Sequence, residues 1–519
     1  MKNIKSLFPC LVMMFVSATQ TFAQGGIPLW TNLYNGELGG GSTAYAIAVD
    51  RSDNIFVTGA EDTLGNPYYT TVAYSNAGIP LWTNRYARGF GSDYAAMAVG
   101  KNGNVFVTGT APGSADNSDY GTIAYSNSGI PLWTNLYNGG ASSGDYPFAI
   151  AVDSSGDVFV TGGSTGSGIS EDYATIKYSS AGVPLWTRRY NGPVNRHDEP
   201  VAIAVDSSGN VFVTGASASG TGSPDNYDYA TIKYSSAGVP LWTKRYNGPA
   251  NGEDFASAMA VDSSGNVFVT GYSDGSAGNP DYATIKYSSA GVALWTNRYD
   301  GPANGYDYAY AIAVDSSGNV LVTGRSSANN TFPFNDDIVT VAYSNSGIPL
   351  WTNRYDGPAG EDDWGRAIAV DGSGNVFVTG SSRYYDGVRY YYYFVTIAYS
   401  NAGEALWTNR YDGPGGSASA IAVDSNGNVF VTGSASYDYV TIKYSSSLPP
   451  HLSIARDGSN GLFIRHNGAP DFTYRLQRAT SVTGPWSDVA TNTAPASGLV
   501  EYHEISPPPT QAFYRTVQP

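Results

Sequence analysis

This chain has little of what usually marks a catalytic or nucleic-acid-binding protein. Of its 519 residues one is cysteine, Cys10, and four are histidine. A lone thiol excludes a disulfide framework and a cysteine-based zinc site. Charged residues make up 13%, and acids outnumber bases 43 to 27. Nucleic acid is excluded as a partner, because phosphate binding needs a basic face. No amphipathic stretch of helical period reaches a useful length, which leaves an all-β reading. No apolar run is long enough to span a bilayer, so the mature chain is expected to have no transmembrane segment.

The first 23 residues stand apart. MKNIKS carries Lys2 and Lys5, LFPCLVMMFV is apolar, and SATQTFA ends in small residues. This is the pattern of a secretory signal peptide, with cleavage expected after Ala23. The mature protein is then secreted or held at the cell surface. It has no thiol, because Cys10 lies inside the signal. Loss of Lys2 and Lys5 takes the net charge from −16 to −18, and residues 447–519 balance five arginines with five acids. The acidic excess therefore belongs to residues 24–446, which permits cations or basic partners.

What is abundant is glycine (62), tyrosine (41) and repetition. AIAVDSSGNVFVTG at 202–215 returns almost unchanged at 311–324 and 149–162. An LW tryptophan occurs eight times, at Trp30, Trp82, Trp133, Trp186, Trp242, Trp295, Trp351 and Trp407, spaced 51 to 56 apart. A period near 50 with several strands per unit indicates a propeller or an array. Each unit reads as four strands: AIAVD, VFVTG, YATIKYS and VPLWTNRY, joined by SSGN and SAG turns. The mature chain opens on a fourth strand, IPLWTNLY, and the repeats end on a third. An open solenoid is the rival architecture, but such split ends fit a ring locked by its first strand. The predicted fold is all-β: a closed β-propeller of eight four-stranded blades whose N-terminal strand completes the last. A small C-terminal β-sandwich-like domain follows. The expected boundaries are 1–23 for the signal, 24–446 for the propeller, 447–450 for the linker and 451–519 for the C-terminal module. A monomer is expected.

The unit, with its AIAVDSSGNVFVTG, DYATIKYSSAG and LW, resembles the bacterial SBBP β-propeller repeat over roughly 420 residues. That family's name implies seven blades where this chain counts eight. The resemblance implies a fold and little about activity. YRLQRATSVTGPWSDV with the terminal FYR resembles a small C-terminal β module of secreted bacterial proteins. The YSSAGVPLW hairpin is similar to the tryptophan-docking repeat of eight-bladed quinoprotein dehydrogenases. No adjacent cysteine pair or distinct quinone pocket accompanies it, so their activity is not implied.

Loop lengths point to one face. The turns after AVD and after KYS keep constant length, whereas VTG glycine to KYS tyrosine varies from 11 to 19 residues. Insertions confined to one face of a repeat protein mark its binding side. Two acidic positions recur there. Asp145, Asp198, Asp254, Asp307 and Asp363 sit eight residues before the AVD aspartate; Asp119, Asp172, Asp228, Asp281, Asp337 and Asp438 sit six before the KYS tyrosine. Carboxylates in a ring are hard oxygen ligands that would suit Ca²⁺. The structural alternative is that each accepts backbone N–H bonds and shapes its own loop. No other cofactor is expected. The aspartates Asp50, Asp153, Asp206, Asp262, Asp315, Asp371 and Asp424 precede SSGN-type turns and read as turn caps, and the WTNRY arginines read as ion-pair partners.

SSRYYDGVRYYYYF at 381–394 breaks the pattern, with Tyr384, Tyr385, Tyr390, Tyr391, Tyr392 and Tyr393 in one unit. Aromatic faces with polar tips suit sugars or peptides, against the alternative of a long hairpin packed on its neighbour. Catalysis finds little support. His197 is a lone loop histidine expected to be solvated, the G-x-S-x-G matches at 162–166 and 271–275 lead into no helix, and the pair Asp362–Asp363 sits among near-identical units. The expected function is a non-enzymatic binding scaffold that contacts a glycan, peptide or surface protein through its variable face. A carbohydrate-active enzyme (glycosidase or lyase) and a purely structural surface protein are the alternatives.

Overall fold

The computed structural model describes residues 26–517 apart from 37–40, 64–65, 88–94, 114–117, 141–143, 166–169, 221–225, 276–277, 330–334, 412, 414, 446–452, 457–460, 468–472, 482–484, 494–498 and 505–511. The signal segment 1–23 and the linker 447–450 lie outside the described residues. Among those described are eight four-stranded antiparallel sheets, so the fold is an all-β, propeller-like array. One sheet runs Asp145–Val152, Val158–Thr165, Glu171–Tyr178 and Pro184–Tyr190, each strand paired with the next. First strands of successive sheets contact one another, which places them innermost. The last sheet takes its fourth strand from the chain's beginning: Pro28–Tyr34 pairs antiparallel with Asp438–Tyr444. Among the described residues no helix is long and apolar enough to cross a membrane.

The VTG glycine is explained by a β-bulge. Among the described residues, seven of the eight first strands skip a residue in register, for example between Pro200 and Ala202, while Ala95–Val99 pairs without a skip. The bulge pushes that strand's carbonyl toward its partner. A Cβ on Gly215 would lie 2.0 Å from the Glu199 carbonyl oxygen, and one on Gly271 would lie 1.9 Å from that of Phe255. Only glycine tolerates such an approach.

Middle strands carry the core. Val211–Ala218 is buried along its whole length, whereas the fourth strand Pro240–Tyr246 is half exposed. Between sheets, Phe159 and Tyr173 of one pack on Val211, Val213, Ile232 and Tyr234 of the next. The same contact joins last sheet to first, with Phe430 and Tyr439 on Ile55, Val57 and Tyr74. Tyr173 is fully buried and donates through its hydroxyl to Ala216 O of the next sheet at 3.2 Å.

A second inter-sheet contact sits on the constant face. Trp30 Nε1 donates to Asn76 O at 3.0 Å and Trp82 Nε1 to Asn127 O at 2.9 Å, in each case to the turn of the following sheet. Asn32 and Asn84 donate beside them to Gly78 O and Gly129 O, both at 2.7 Å. Gly78 has φ of 79°, and a Cβ there would lie 2.8 Å from the Trp30 ring. The glycine thus serves both the left-handed turn and the indole lying on it. The AVD aspartates cap the other turn, as their spacing suggests: Asp206 Oδ1 accepts from Ser208 N and Asn210 N, both at 2.9 Å.

The C-terminal residues form two three-stranded sheets. Ile464 and Val500 of one share an apolar interior with Tyr474 and Leu476 of the other.

Gly215→Ala should destabilise the protein by at least the 1–3 kcal/mol of an overpacked core. Gly372→Ala, where a Cβ meets nothing within 4 Å, should stay within about 0.5 kcal/mol of the parent. Urea denaturation of the two variants checks both.

Candidate functional site

Strand direction carries the variable connections to the end opposite the tryptophan-covered turns. There the recurrent carboxylates fall into one cross-strand row. Asp198 pairs in register with Ser217, and Ser217 with Asp228. Arg245 on the fourth strand reaches across, 3.0 Å from Asp228 Oδ2, and donates to Ser217 O at 2.9 Å. Arg298 holds Asp281 in the same way at 2.7 Å, Arg189 lies 3.4 Å from Asp172, and Arg354 pairs with Asp337. These four arginines are therefore ion-pair partners, as expected, whereas Arg410 covers the Tyr393 ring. The ladder places three strands' polar groups in a line.

The other acidic position closes its own loop. Asp145, Asp198, Asp254 and Asp307 accept through Oδ2 from Gly139, Gly192, Gly248 and Gly301 N at 2.6 to 2.7 Å, and Asp363 accepts from Gly357 N. All five carboxylates are buried. Burial raises Asp254 and Asp307 to about 6 and Asp363 to about 7. These aspartates shape loops, as the structural alternative held, and two of them also meet further carboxylates. One carboxylate oxygen from each of Asp281, Asp300 and Asp307 lies within 4.8 Å of the others, and the same holds for Asp337, Asp356 and Asp363. No spacing rule had picked out Asp300 or Asp356. Asp438 begins the last sheet's third strand, and Gly416 stands where five other first strands have aspartate. The first sheet uses Glu61 instead, whose fully buried carboxylate lies 2.9 Å from Arg85 and accepts from Thr70 Oγ1 at 2.7 Å. Its signal in the sequence was only the missing aspartate at Tyr68.

The six tyrosines of 384–393 lie on one long hairpin, Val376–Tyr385 against Tyr390–Tyr399. Alternation divides them between its faces. Tyr385 and Tyr390 meet with centroids 4.7 Å apart, and the Arg383 guanidinium covers Tyr390 at 4.6 Å. Tyr384 meets Tyr393, which Arg410 covers at 4.4 Å. Tyr390, Tyr391 and Tyr392 also line a cleft of about 480 Å³ with Ser417, Ser434 and Tyr437, the last 78% exposed. The hairpin alternative is thus correct for the backbone, yet three of its tyrosines face open space.

A larger aromatic feature escaped the sequence reading. Phe255, Tyr308 and Trp364 each follow the strand-opening aspartate on an innermost strand. They belong to an arc over four successive sheets. Tyr227 and Phe255 are 4.9 Å apart, Phe255 and Tyr272 are stacked at 5.3 Å, and Tyr272 meets Tyr308 edge-on at 4.9 Å. Arg325 bridges Tyr308 to Trp364 at 4.6 and 5.5 Å, and Trp364 lies 6.2 Å from Tyr392. Beside the arc, Tyr306, Tyr308, Arg325 and Asp336 line a second hollow of about 220 Å³.

His197, expected to be merely solvated, sits between Glu171 and Glu199 at 3.8 and 3.7 Å. The hydrogen bond to Glu199 raises its pKa above the usual histidine value. It touches Tyr227 edge-on at 6.4 Å and so extends the arc. Asp362 and Asp363 do not form a facing acid pair. Asp362 is 2.7 Å from Arg383 and accepts from Asp336 N, while Asp363 is buried in the sheet.

Four-stranded antiparallel sheets, packed face to face and inner strand to inner strand, define a β-propeller scaffold. Residues 185–220, 241–277, 298–330, 354–383 and 413–439 match the SBBP beta-propeller repeat, so the repeats are of that type. The chain is 25% identical over 204 residues to the uncharacterized WD repeat-containing protein L264 of Acanthamoeba polyphaga mimivirus. That match covers 30% of this chain and spans only 14% of the relative's length. Among solved structures, Sqt1 from Chaetomium thermophilum aligns with a TM-score of 0.50 at 12% identity, over 80% of this chain and all of that one. The WD40 beta propeller domain of Doa1 aligns with a TM-score of 0.39 at 12% identity, over 68% of this chain and 92% of that one.

Asp254 yields a pH prediction with a definite sign. Its folded-state pKa, about 6, stands above the ordinary 3.8. Its contribution is therefore fully present at low pH and is lost as pH rises through 6. Asp254→Asn should shrink the fall in stability between pH 4.5 and 7.5 by about 1–2 kcal/mol, at 1.4 kcal/mol per pKa unit. Urea midpoints at the two pH values test this.

Proposed function

We propose that this chain is an exported, closed eight-bladed propeller that binds a carbohydrate chain through its variable face without transforming it. The observation that carries this reading is the aromatic arc with its adjoining clefts. Pyranose rings present apolar C–H faces that stack on aromatic rings, while their hydroxyls accept from guanidinium groups and donate to carboxylates. Phe255, Tyr272, Tyr308, Trp364 and Tyr392 supply the rings, and Arg325 and Asp336 the polar flank. A net charge of −16 favours a neutral glycan over an acidic one.

Closure is supported by the strand Pro28–Tyr34 on Asp438–Tyr444 and by the packing of last sheet on first. Export is supported by the basic, apolar and small-residue order of residues 1–23. The engagement of Asp362 and Asp363 by protein partners supports binding without hydrolysis. The two C-terminal sheets would anchor or present the propeller.

Tyr390, 55% exposed, and Tyr437 can be truncated without touching the core. Screened on an array of neutral polysaccharides, the mature chain should bind at least one, and Tyr390→Ala with Tyr437→Ala should weaken that binding at least tenfold. Binding to peptides or proteins alone would turn the reading to protein recognition. Binding to neither would leave a structural surface protein.

A further inference from the structure

The fourth strands leave apolar side chains in water at two fixed positions. Ile79, Ile130, Val183, Val239, Val292 and Ile348, each just after the glycine of its turn, are 54% to 63% exposed. The leucine two residues on, from Leu81 to Leu350, is 46% to 51% exposed in all six units. These twelve make up most of the sixteen exposed isoleucines, valines and leucines among the described residues; Leu33, Leu136, Val388 and Ile454 are the rest. Scattered exposed aliphatics need no explanation, but a set fixed by the repeat marks an interaction face.

The six are held alike. The serine that opens each turn donates from its backbone to the carbonyl of the aliphatic residue, at 2.8 Å in every case. Its hydroxyl accepts from the N–H of the same residue at 3.1 to 3.2 Å. Equivalent positions in successive blades of a propeller lie at one level about its axis. The six therefore form a rim of the constant face.

That rim is uncharged. The segments SNAGIPL, SNSGIPL, SSAGVPL and SSAGVAL, which lead into the tryptophan in these six units, hold neither acid nor base in a chain of net charge −16. Lysines of the same face are paired with turn aspartates, Lys177 with Asp157 at 2.9 Å and Lys233 with Asp206 at 3.7 Å. At the seam the pattern lapses. Glu404 takes the aliphatic position there, and Ile27 and Leu29 are half-buried. Ser445 N donates to Ile27 O at 3.0 Å, so the residues before Gly26 and the C-terminal sheets both join the propeller at this rim.

We propose that the rim rests on a zwitterionic lipid surface, its aliphatic side chains entering the headgroup boundary and the variable face turned away. A fluid plane requires neither charge nor register of its partner. A second copy would meet the repeated rim in several registers one blade apart, and uncharged turns offer nothing to choose among them. Interfacial binding grows with the apolar area buried and needs no basic patch where the lipid carries no net charge. The half-buried tryptophan that follows each leucine is the ring type favoured at such a boundary. The inference does not depend on what the aromatic arc binds.

Flotation with phosphatidylcholine vesicles tests it on residues 24–519, which lack the apolar leader as a competing lipid-binding segment. The chain should float at low and high salt alike, and less on vesicles rich in anionic lipid, which its acidic excess repels. Ile79→Asn, Val239→Asn and Ile348→Asn together should weaken vesicle binding by about tenfold or more, with circular dichroism unchanged because all three side chains are exposed. Leu33→Asn with Leu136→Asn, similarly exposed but at the other end of the fourth strand, should leave binding as it is. A parent chain that does not float, a triple variant that floats as well as the parent, equal loss in both sets of variants, or stronger flotation on anionic lipid would overturn the proposal. So would a dimer in lipid-free sedimentation that the triple variant abolishes, which would assign the rim to a second copy of the chain.

Discussion

Near the start of each fourth strand an indole lies across a glycine, and seven of the eight, Trp30 to Trp351, donate to the turn of the following sheet. Neighbouring sheets therefore share a polar bond, a stacked ring and a left-handed turn at a single point. Trp295 shows how local the requirement is: its Nε1 donates to Asn345 O at 3.1 Å while Asn297 donates to Gly347 O at 2.7 Å. The same strand that carries the tryptophan carries the arginine of the opposite face, three residues on. Fixing one end of the strand fixes the other. The polar row of Asp, Ser, Asp and Arg then has the register it needs, and the variable loops start from equivalent positions in successive sheets.

This arrangement separates stability from variation. Middle strands are buried on both sides, VTG glycines leave no room for a side chain, and turns on the constant face are capped by their own aspartates. None of these positions tolerates much change. The residue after each strand-opening aspartate is different. It is tyrosine at Tyr146, glutamate at Glu199, phenylalanine at Phe255, tyrosine at Tyr308 and tryptophan at Trp364, all on innermost strands at the variable end. A repeat that keeps its frame this strictly can vary the innermost strands' ends one side chain at a time, as binding surfaces on rigid scaffolds do.

The repeat was legible in the sequence because its spacing is nearly constant and its glycines and tryptophans have single structural roles. Four strands per unit, the phase shift of the first strand and the capping role of the AVD aspartates could all be read there. The aromatic arc could not, because Phe255, Tyr272, Tyr308 and Trp364 are far apart in sequence and share no motif. Only the packing of first strands against each other brings them together. The tyrosines at 384–393 were conspicuous for the opposite reason, their crowding, and the hairpin then splits them between two faces. Asp300 and Asp356 were hidden as conservative exchanges in a YNGP segment.

If the indole over a glycine turn couples the sheets, the contact at the seam is the one to break. Trp407 is 2% exposed, and a Cβ on Gly26 would lie 2.8 Å from its ring. Gly26 lies just before the strand that completes the last sheet. Hydrogen exchange should be measured on the intact chain and on Trp407→Ala. The account predicts lost protection in Pro28–Tyr34 and in Asp438–Tyr444, with lowered protection spreading to both neighbouring sheets. Loss confined to the strand Ala405–Tyr411, with Pro28–Tyr34 still protected, would contradict it.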